Sequence, residues 1–432
     1  MQCQQLNYKF CRFSQINLSK FRHCENKEPT LKIICFLLFG KFANPAFQEK
    51  KFGLQIQTNR YYSFCHALYS VLQYQPILSK WVFEITMPQT LTLTQPDDWH
   101  VHLRDDDLLT HTVPATAGHF ARALVMPNLA PPLTDIHSII AYRNRICAAI
   151  PDDSSFIPYM TFYLNNQLTP DAIQEAKPYH FILGAKLYPQ GATTNSSQGP
   201  ADLKAVYPLL DYLQEADLVL QVHGEQTHGD IFDRETLFLT EGLQPILRNF
   251  PRLRVVLEHI STKAAVDFVQ DSKHTLSATI TAHHLLYNRN HLLAEGVRPH
   301  YYCLPILKRE NDQIALQQAA TSGNLKFFAG TDSAPHALEN KENACGCAGI
   351  FSAPYAVPLY TEIFEHLNQL DKLNDFLSGF GADFYRLPRN TAQMVLHKQP
   401  QHIPAKLPFG KASVVPIAAN QTIPWSVHAI IS

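Results

Sequence analysis

Short apolar runs alternate with longer amphipathic segments along the chain from residue 87 onward. The apolar runs cover Ala123–Met126, Phe156–Leu164, Ile182–Leu187, Leu218–Val222, Val255–Ile260, Ser277–Thr281 and Leu325–Ala329. The helix-like segments between them cover Ile136–Ala149, Leu203–Glu215, Glu235–Arg248, Ala264–Val269 and Asp312–Thr321. Asp312 is expected to cap the last of these helices. Alternation of this kind predicts a parallel sheet covered by helices.

A further apolar run precedes these seven and ends in His100-Val101-His102, which brings the number of expected strands to eight. Eight parallel strands with intervening helices are what a (β/α)8 barrel of the TIM type requires, and such barrels hold roughly 250 residues or more as one unit. We therefore predict an α/β fold in which residues 87–432 form one barrel domain. A doubly wound open sheet is the alternative, although no Gly-x-Gly-x-x-Gly pattern follows any of the runs.

Chemically capable polar residues stand at the ends of these apolar runs. They are His100, His102, Asn128, Lys186, His223, His259 and Asp332. Residues two apart on a strand point to the same face, so His100 and His102 direct two imidazoles to one point. A lone His-x-His is more often a polar strand edge, and a single core histidine is usually a packed one. Four histidines, a lysine and an aspartate at successive strand ends instead predict a metal site, because these ends meet at one mouth of a barrel.

Lys186 lies inside an apolar run, where its charge is hard to accommodate. A buried ammonium without a partner tends to lose its proton. The neutral amine can add carbon dioxide to form a carbamate, which is an anionic oxygen ligand able to bridge two cations. The alternative interpretation is an ammonium paired with Glu225 or Glu258, and the flanking histidines favour the bridge.

Arg104 lies two residues beyond His102 and faces the same side of an extended chain. Its guanidinium offers a fixed fork of donors that suits a carboxylate. The alternative is an arginine at the barrel mouth paired with Asp105 or Asp107. The first interpretation predicts an acidic small molecule as the ligand.

Composition and charge narrow the classes of function. The formal net charge is −1 and no basic face is sustained, which gives no indication of a nucleic-acid or anionic membrane partner. Hydrophobic residues make up 46 % of the chain and charged residues 17 %, as in an ordinary globular protein. The best apolar run, Ile33–Phe39, is far shorter than the roughly 20 residues that span a bilayer. We expect a small-molecule substrate, no nucleic acid and no membrane.

The nine cysteines are unevenly placed, and five of them precede Met87. This is not the compact framework of a small secreted domain, so a reducing compartment is the simpler interpretation and the cytoplasm the expected location. Cys345-Gly346-Cys347 is either a metal-binding pair or a tight loop of small residues. Its one-residue spacer is tighter than that of the usual structural zinc site, which favours the loop.

Residues 1–86 differ in character from the rest of the chain. They carry eleven Lys and Arg against four Glu and no Asp, and they show no convincing helical or strand period. Three interpretations stay open: translated sequence upstream of the true start, a targeting peptide, or a small accessory segment. We expect a basic extension that is disordered or not part of the native product, with organellar targeting as the alternative.

Ten segments in order along the chain resemble those of one enzyme family. They are DWHVHLRD, VMPNLAPP, GAKLYPQGATTNSSQG, VHGE, FDRE, EHI, NRNH, YCLPILKRE, GTDSAPH and CGCAG. Together they resemble the dihydroorotases of the bacterial class II type, which are a branch of the amidohydrolase superfamily. The resemblance runs from Leu91 to Trp425 and has no counterpart for the extension before Met87. His-x-His alone would indicate only the superfamily, whereas the ordered set is highly specific.

The resemblance implies a binuclear zinc site at the C-terminal face of the barrel strands. The implied ligands are His100, His102 and Asp332 for one metal, His223 and His259 for the other, and N6-carboxylated Lys186 as a bridge between them. The implied substrate-binding residues are Arg104, Asn128 and His336 for the α-carboxylate, the backbone of Leu304 and Ala348 for the pyrimidine ring edge, and His102 and His223. Thr193 and Thr194 would lie on a flexible loop that closes over the substrate.

The same resemblance implies the reaction and the assembly. The reaction would be the reversible cyclisation of N-carbamoyl-L-aspartate to dihydroorotate in pyrimidine biosynthesis, with Asp332 as the catalytic proton carrier, and the assembly a homodimer. A hydantoinase or allantoinase acting on another cyclic amide is the nearest alternative. A non-catalytic partner subunit of the same fold is a second, and it should have lost metal ligands that are all present here.

The chain departs from the family pattern in a few places. We expect glycine where Asp106 stands, and Pro-Gln where Ala282-His283 precedes His284. Near the C-terminus, residues 379–383 replace a more usual Asn-Gly-Pro pattern. None of these changes removes an implied ligand, and the resemblance assigns His283 and His284 no ligand role. Cys303 is interpreted as a packed wall residue rather than a nucleophile.

Overall fold

The computed structural model describes residues 89–431, so the expectations for residues 1–86 lie outside the described residues. Eight parallel strands pair in chain order, namely Asp97–Val101, Arg122–Val125, Ile157–Leu164, Ile182–Leu187, Val219–His223, Val255–Glu258, Leu276–Ile280 and Phe327–Ala329. Beyond the last strand, Asp332 N donates to His100 O at 2.9 Å and His102 N donates to Ser333 O at 3.0 Å. These bonds bring the last strand back to the first, which confirms the predicted (β/α)8 barrel.

The strands are buried along nearly their whole length, as expected for a sheet with side chains packed on both faces. All seven runs that were given bounds lie within two residues of the observed strands at each end, and the last, Leu325–Ala329, is shortened to its last three residues. Apolar runs without alternation therefore marked the barrel correctly, because both faces of a parallel strand exclude water.

Helices of varied length cover the barrel and connect its strands. The α-helices are Leu109–Ala117, Ile136–Ala148, Pro170–Glu175, Tyr207–Glu215, Arg234–Phe238, Gln244–Asn249, Lys263–Asp271, Ala282–Leu286, Arg289–Leu293, Glu310–Thr321, Leu338–Lys341, Ala356–His366, Leu370–Asn374 and Phe380–Phe384. The 3-10 helices are Asp106–Leu108, Leu203–Val206, Pro299–Tyr301 and Ala353–Tyr355, and the π-helical segments are Leu239–Leu243 and Asp375–Gly379. Across residues 89–431, no helix has the length and apolar character needed to cross a membrane.

The expected cap at Asp312 is wrong, because that helix begins two residues earlier, at Glu310. Arg309 occupies the capping position, and Asp312 lies in the first turn. The Asp312 carboxylate accepts from Arg309 N at 3.2 Å and from Lys263 N at 3.0 Å. An acidic side chain at the third position of a helix accepts hydrogen bonds from backbone N–H groups, as a capping residue does. Asp312 therefore resembles a capping residue in the sequence, and the predicted start of the helix lies a few residues too late.

Three small antiparallel sheets were not predicted. One joins Thr90–Thr94, Gln393–His397 and Ser426–Ile431, the second pairs Gln401–His402 with Thr422–Ile423, and the third pairs Leu407–Phe409 with Ala412–Val414. In the first of these sheets, Thr90 pairs with His397. The alternating run at Leu91–Thr94 therefore belongs to this accessory sheet and only leads into the barrel.

Gly381 has no room for a side chain, because a Cβ there would lie 2.0 Å from Nε1 of the buried Trp99. The Trp99 ring also stacks on Tyr385 with 4.6 Å between ring centroids. We expect Gly381→Ala to lower the free energy of unfolding by about 2 kcal/mol, since the indole must shift against its packed neighbour. Urea denaturation measures this change. Gly379→Ala is the control, because its nearest contact is the mobile end of the exposed Arg389, and an equal loss in both variants would contradict the explanation.

Candidate active site

Six of the side chains singled out from the sequence meet at the carboxyl ends of the barrel strands. They are His100, His102, Lys186, His223, His259 and Asp332, and none is more than 9 % exposed. Parallel barrel strands all end at one mouth, so residues far apart in sequence become neighbours there. The structure thus brings the candidate metal ligands into one buried cluster.

The six side chains include two groups whose nitrogen and oxygen atoms face one another. Asp332 Oδ1 lies 3.2 Å from His102 Nε2 and 3.4 Å from His100 Nε2. His223 Nδ1 lies 3.2 Å from His259 Nε2. The rings of His100 and His259 adjoin, with 5.0 Å between their centroids, so the two groups are contiguous. Imidazole nitrogens and a carboxylate oxygen gathered in this way form a donor set suited to divalent metal ions.

Three of the histidines have an outer ring nitrogen, which points away from the cluster, and an inner one, which points into it. Each outer nitrogen lies within hydrogen-bond distance of a side-chain oxygen. The pairs are His100 Nδ1 with Glu258 Oε2 at 2.9 Å, His102 Nδ1 with Asn128 Oδ1 at 2.8 Å, and His223 Nε2 with Glu225 Oε2 at 3.2 Å. Because the oxygen accepts, the outer nitrogen carries the hydrogen and the inner nitrogen keeps its lone pair. The inner Nε2 of His100 has no hydrogen-bond partner among residues 89–431. This arrangement orients an imidazole as a metal ligand requires.

Lys186 is fully buried, and its Nζ has no hydrogen-bond or ion-pair partner within the described part of the chain. Glu258 pairs with His100, whereas Glu225 faces His223 and lies 3.4 Å from Lys308 Nζ. The structure therefore does not contain the alternative ion pair with either glutamate. Burial lowers the pKa of Lys186 to about 8 against the opposing effect of nearby carboxylates, which makes the neutral amine accessible.

Burial also lowers the pKa values of three of the histidines. It lowers the pKa of His102 to about 4 and holds the pKa values of His223 and His259 below their ordinary value. Burial alone would raise the pKa of Asp332, but the adjacent His102 and the other surrounding imidazoles hold it well below its usual range. These imidazoles are neutral near pH 7 and Asp332 is a carboxylate, so each can donate a lone pair.

Arg104 lies at the edge of the cluster, where its guanidinium contacts the segment that follows the last barrel strand. Its Nε donates to Pro335 O at 2.9 Å, and its Nη2 lies 3.0 Å from His336 Nε2. Asp105 instead makes a bidentate pair with Arg145, at 2.8 and 2.7 Å, so the alternative pairing of Arg104 with Asp105 is not found. A cationic fork beside the buried cluster suits an anionic ligand.

The loop that follows the fourth barrel strand lies over the mouth. Thr194 O accepts from Asn128 Nδ2 at 3.2 Å, and Thr194 Oγ1 donates to Ala348 O at 3.4 Å. Thr193 and Leu304 line the same cavity, whose volume is about 20 Å³. That is room for little more than one water molecule, so the loop as placed closes the site.

Three candidate residues have a backbone conformation that most side chains avoid. The φ angles are 62° at Arg104, 41° at His259 and 43° at Asp332. Non-glycine residues in this left-handed region are strained, and such strain persists where the surrounding structure holds it for function. All three lie at barrel-strand ends, which supports a functional role for this mouth.

Several residues of the site were missed or given another role by sequence reasoning. Tyr188, Ala334 and Gly349 also line the cavity, and Asn128, Glu225 and Glu258 hold histidines. Tyr188 and Glu225 each follow a candidate ligand by two residues, and that spacing could have identified them. Lys186 and His336 do not line the cavity directly: the lysine lies deeper, and His336 reaches the site through Arg104.

Comparison with known proteins agrees with this geometry. Residues 97–390 match the model of the amidohydrolase family. The dihydroorotase of Shewanella oneidensis is 54 % identical over 342 residues, which is 79 % of this chain and 100 % of that protein. The similarity therefore spans the whole length of that relative.

Solved structures give the same result. Dihydroorotase from Campylobacter jejuni matches with a TM-score of 0.73 and 34 % identity, covering 79 % of this chain and 98 % of that one. Dihydroorotase from Saccharomyces cerevisiae, solved in complex with 5-fluoroorotic acid, matches with a TM-score of 0.72, 35 % identity and the same coverage. Similarity in sequence and in backbone thus points to one family.

Proposed function

This chain belongs to the amidohydrolase family and, within it, to the dihydroorotases, and from that premise we propose how its strand-end site works. The reaction is the reversible cyclisation of N-carbamoyl-L-aspartate to (S)-dihydroorotate with release of water, a step of pyrimidine biosynthesis. One observation carries the proposal: a buried set of metal-ligand side chains lies directly beside the cationic fork of Arg104.

The metal site follows from the donor set. His100, His102 and Asp332 would hold one zinc ion, His223 and His259 the other, and carboxylated Lys186 would bridge them. Neutral imidazoles, a carboxylate and the unpartnered Nε2 of His100 support this assignment. The unpaired, readily neutral amine of Lys186 supports its carboxylation. When bound, two such cations polarise the ring carbonyl and lower the pKa of the attacking water.

Asp332 is the proposed proton carrier. In hydrolysis its carboxylate accepts a proton from the water that attacks the ring carbonyl carbon, and it passes this proton to the ring nitrogen as the carbon–nitrogen bond breaks. In cyclisation it removes a proton from the carbamoyl nitrogen as this nitrogen bonds to the carbon of the protonated β-carboxyl group, and it passes the proton to the departing hydroxyl, which leaves as water. The low pKa of Asp332 keeps the carboxylate ionised and ready to accept.

The remaining residues would bind and orient the substrate. Arg104, Asn128 and His336 would hold the α-carboxylate, the backbone of Leu304 and Ala348 would read the ring edge, His102 and His223 would contact the substrate, and Thr193 and Thr194 would cover it. The contacts of Arg104 with His336 and of Thr194 with Asn128 and Ala348 support this placement. Burial, with the nearby charge of Arg104, lowers the pKa of His336 to about 2, so its ring is neutral and binds by hydrogen bonding.

We expect Arg104→Lys to raise KM for dihydroorotate by about tenfold or more, because a point charge replaces a bidentate fork. Steady-state kinetics with dihydroorotate measure KM and kcat separately. Arg145→Lys is the matched control, since Arg145 pairs with Asp105 at the surface rather than facing the cavity. Similar KM values for the Arg104 variant and the wild type would exclude the carboxylate contact.

The alternatives are disfavoured. A hydantoinase or allantoinase would not need a cationic fork beside the metal ligands, and the relatives described above are dihydroorotases. A non-catalytic partner subunit would be expected to lack metal ligands, whereas all six candidate side chains are present and gathered. The cyclic acid is therefore the substrate that the site suits best.

The purified full-length protein, assayed for dihydroorotate hydrolysis together with metal analysis, tests the proposal. We expect turnover with close to two metal ions per chain. Bound metal with turnover of hydantoin or allantoin and none of dihydroorotate would overturn the substrate assignment. A chain that begins at Met87 should be equally active, because the candidate site lies wholly within residues 100–349.

Assembly and location are part of the proposal. We propose a homodimer in the cytoplasm, which rests on the family resemblance. Residues 87–432 are proposed as the catalytic domain, with residues 1–86 as an extension that is not needed for chemistry. Sedimentation of the full chain tests the dimer.

A further inference from the structure

A second group of potential metal ligands lies beside the proposed site without being part of it. The side chains of His283, His284 and Cys303 place one potential ligand atom each within 4.8 Å of one another. The two histidines lie on the helix Ala282–Leu286, directly after the seventh barrel strand, and Cys303 precedes Leu304 of the cavity wall. All three are almost completely buried. The proposed reaction uses none of them.

His283 is the most unusual member of this group. Its side chain is 0 % exposed, yet neither Nδ1 nor Nε2 has a hydrogen-bond partner in the described region. Leaving a buried polar group unpaired costs about 1–3 kcal/mol. Burial holds the pKa of His283 well below its ordinary value, so the ring is neutral and one nitrogen keeps a free lone pair. A ligand for that lone pair would remove the part of the cost that this nitrogen carries.

The other two side chains can also each supply a lone pair. His284 Nε2 lies 3.0 Å from Pro305 O, and because a carbonyl only accepts, this nitrogen carries the hydrogen. The lone pair of His284 is therefore on Nδ1, 2.8 Å from the hydroxyl of Thr281, which also caps the helix by accepting from His284 N at 3.1 Å. A bound ion would replace the hydrogen bond that this hydroxyl donates to Nδ1. Cys303 Sγ lies 3.3 Å from Pro305 O, and its own lone pairs remain available.

The charge of the ligand set itself favours an ion of low charge. Burial raises the pKa of the Cys303 thiol, Asp332 and Glu225 act in the same direction, and Lys341 and Lys308 oppose them. A metal-bound thiol is deprotonated, so the ligand set of one thiolate and two neutral imidazoles would carry a single negative charge. A monovalent cation would neutralise it, whereas a divalent cation would leave a net positive charge in a buried site close to Lys341.

We propose that His283, His284 and Cys303 form a binding site for a soft monovalent cation, Cu⁺. Thiolate sulfur and imidazole nitrogen suit this ion, and its binding releases the thiol proton of Cys303. The bound ion ties the helix Ala282–Leu286 to the segment that carries Leu304. The proposal stands independently of the reaction assigned above, because no residue is shared.

The test titrates Cu⁺ without oxygen into the full-length zinc-loaded protein against the chelator bicinchoninate. The titration uses a Cys345→Ser, Cys347→Ser background, since that pair is at least partly exposed and would also bind copper. His283→Gln in this background is the comparison, because glutamine keeps a buried polar side chain but lacks the ring. We expect the background protein to hold one Cu⁺ per chain more than the His283→Gln variant, or to hold it at least about a hundredfold more tightly.

Two further measurements keep the test decisive. X-ray absorption of the copper-loaded background protein should show nitrogen and sulfur ligands together, and an all-sulfur environment would overturn the proposal. Zn²⁺ added alone should not give a third retained zinc ion that is lost in the His283→Gln variant, since such an ion would show a divalent site instead. Equal copper binding by the two proteins would also overturn the proposal. Dihydroorotate turnover by both copper-free proteins checks that each is folded.

Discussion

Asp332→Asn is expected to lower kcat for dihydroorotate hydrolysis by about 10³-fold or more, because the amide cannot accept and return the proton. The fold should be retained. Asp332 has a φ of 43°, a conformation that asparagine tolerates nearly as well as aspartate, and its backbone N still donates to His100 O. The amide oxygen can still face His102, so most of the metal should remain.

The measurement pairs single-turnover and steady-state kinetics with metal analysis of the same preparation. Asp98→Asn is the useful control, since Asp98 is a second buried carboxylate that binds Thr331 and does not line the cavity. The control should alter stability more than turnover. Substantial turnover by metal-loaded Asp332→Asn would show that another group carries the proton.

Lys186→Arg is expected to abolish turnover and to lower the metal content below two ions per chain. Arginine keeps the positive charge but does not form the carbamate, so the proposed bridge loses its anionic oxygens. The fully buried position must also take a guanidinium with no acceptor to pair with, because Lys186 Nζ has none within residues 89–431.

Protein prepared with ¹³C-labelled bicarbonate should show a carbamate carbon signal in the wild type and lose it in Lys186→Arg. Lys308→Arg is the matched control, because Lys308 is also buried but pairs with Glu225 and Ile231 O. This control should keep both the signal and the metal. A wild-type protein with two metals and no carbamate signal would contradict the bridging role.

The barrel and the gathering of its polar strand ends could be predicted because both follow from local pattern. A parallel strand buried on both faces is a short apolar run in the sequence. A polar residue at the carboxyl end of such a run therefore lies at the mouth of the barrel. His223 and Lys186 could thus be placed at one mouth without knowing any contact between them. The family resemblance then added roles that spacing alone does not contain.

The features that were missed depend on contacts between distant parts of the chain. Thr90 pairs with His397, and neither short strand has a pattern that identifies its partner. The pairing of His100 with Glu258 likewise joins two different strands. In the sequence, Glu258 stands next to His259 and has no feature that distinguishes it from an ordinary charged residue. Such pairs can be identified only once the order and register of the barrel strands are known.

The hydrogen bonds of Thr194 have a consequence for how tightly substrate binds. Thr194 hydrogen-bonds to the Asn128 side chain and to the backbone oxygen of Ala348, so under the proposed placement of the substrate the loop competes with it for Asn128 and covers the Ala348 backbone. The apparent dissociation constant then equals the intrinsic one divided by the fraction of molecules whose loop is open. Thr194→Val removes the hydrogen bond from Thr194 Oγ1 to Ala348 O and should raise the fraction of molecules with an open loop. The variant should therefore bind substrate faster and form a tighter first encounter complex. The same change would admit bulk water during the reaction, so we expect faster capture of substrate together with slower turnover.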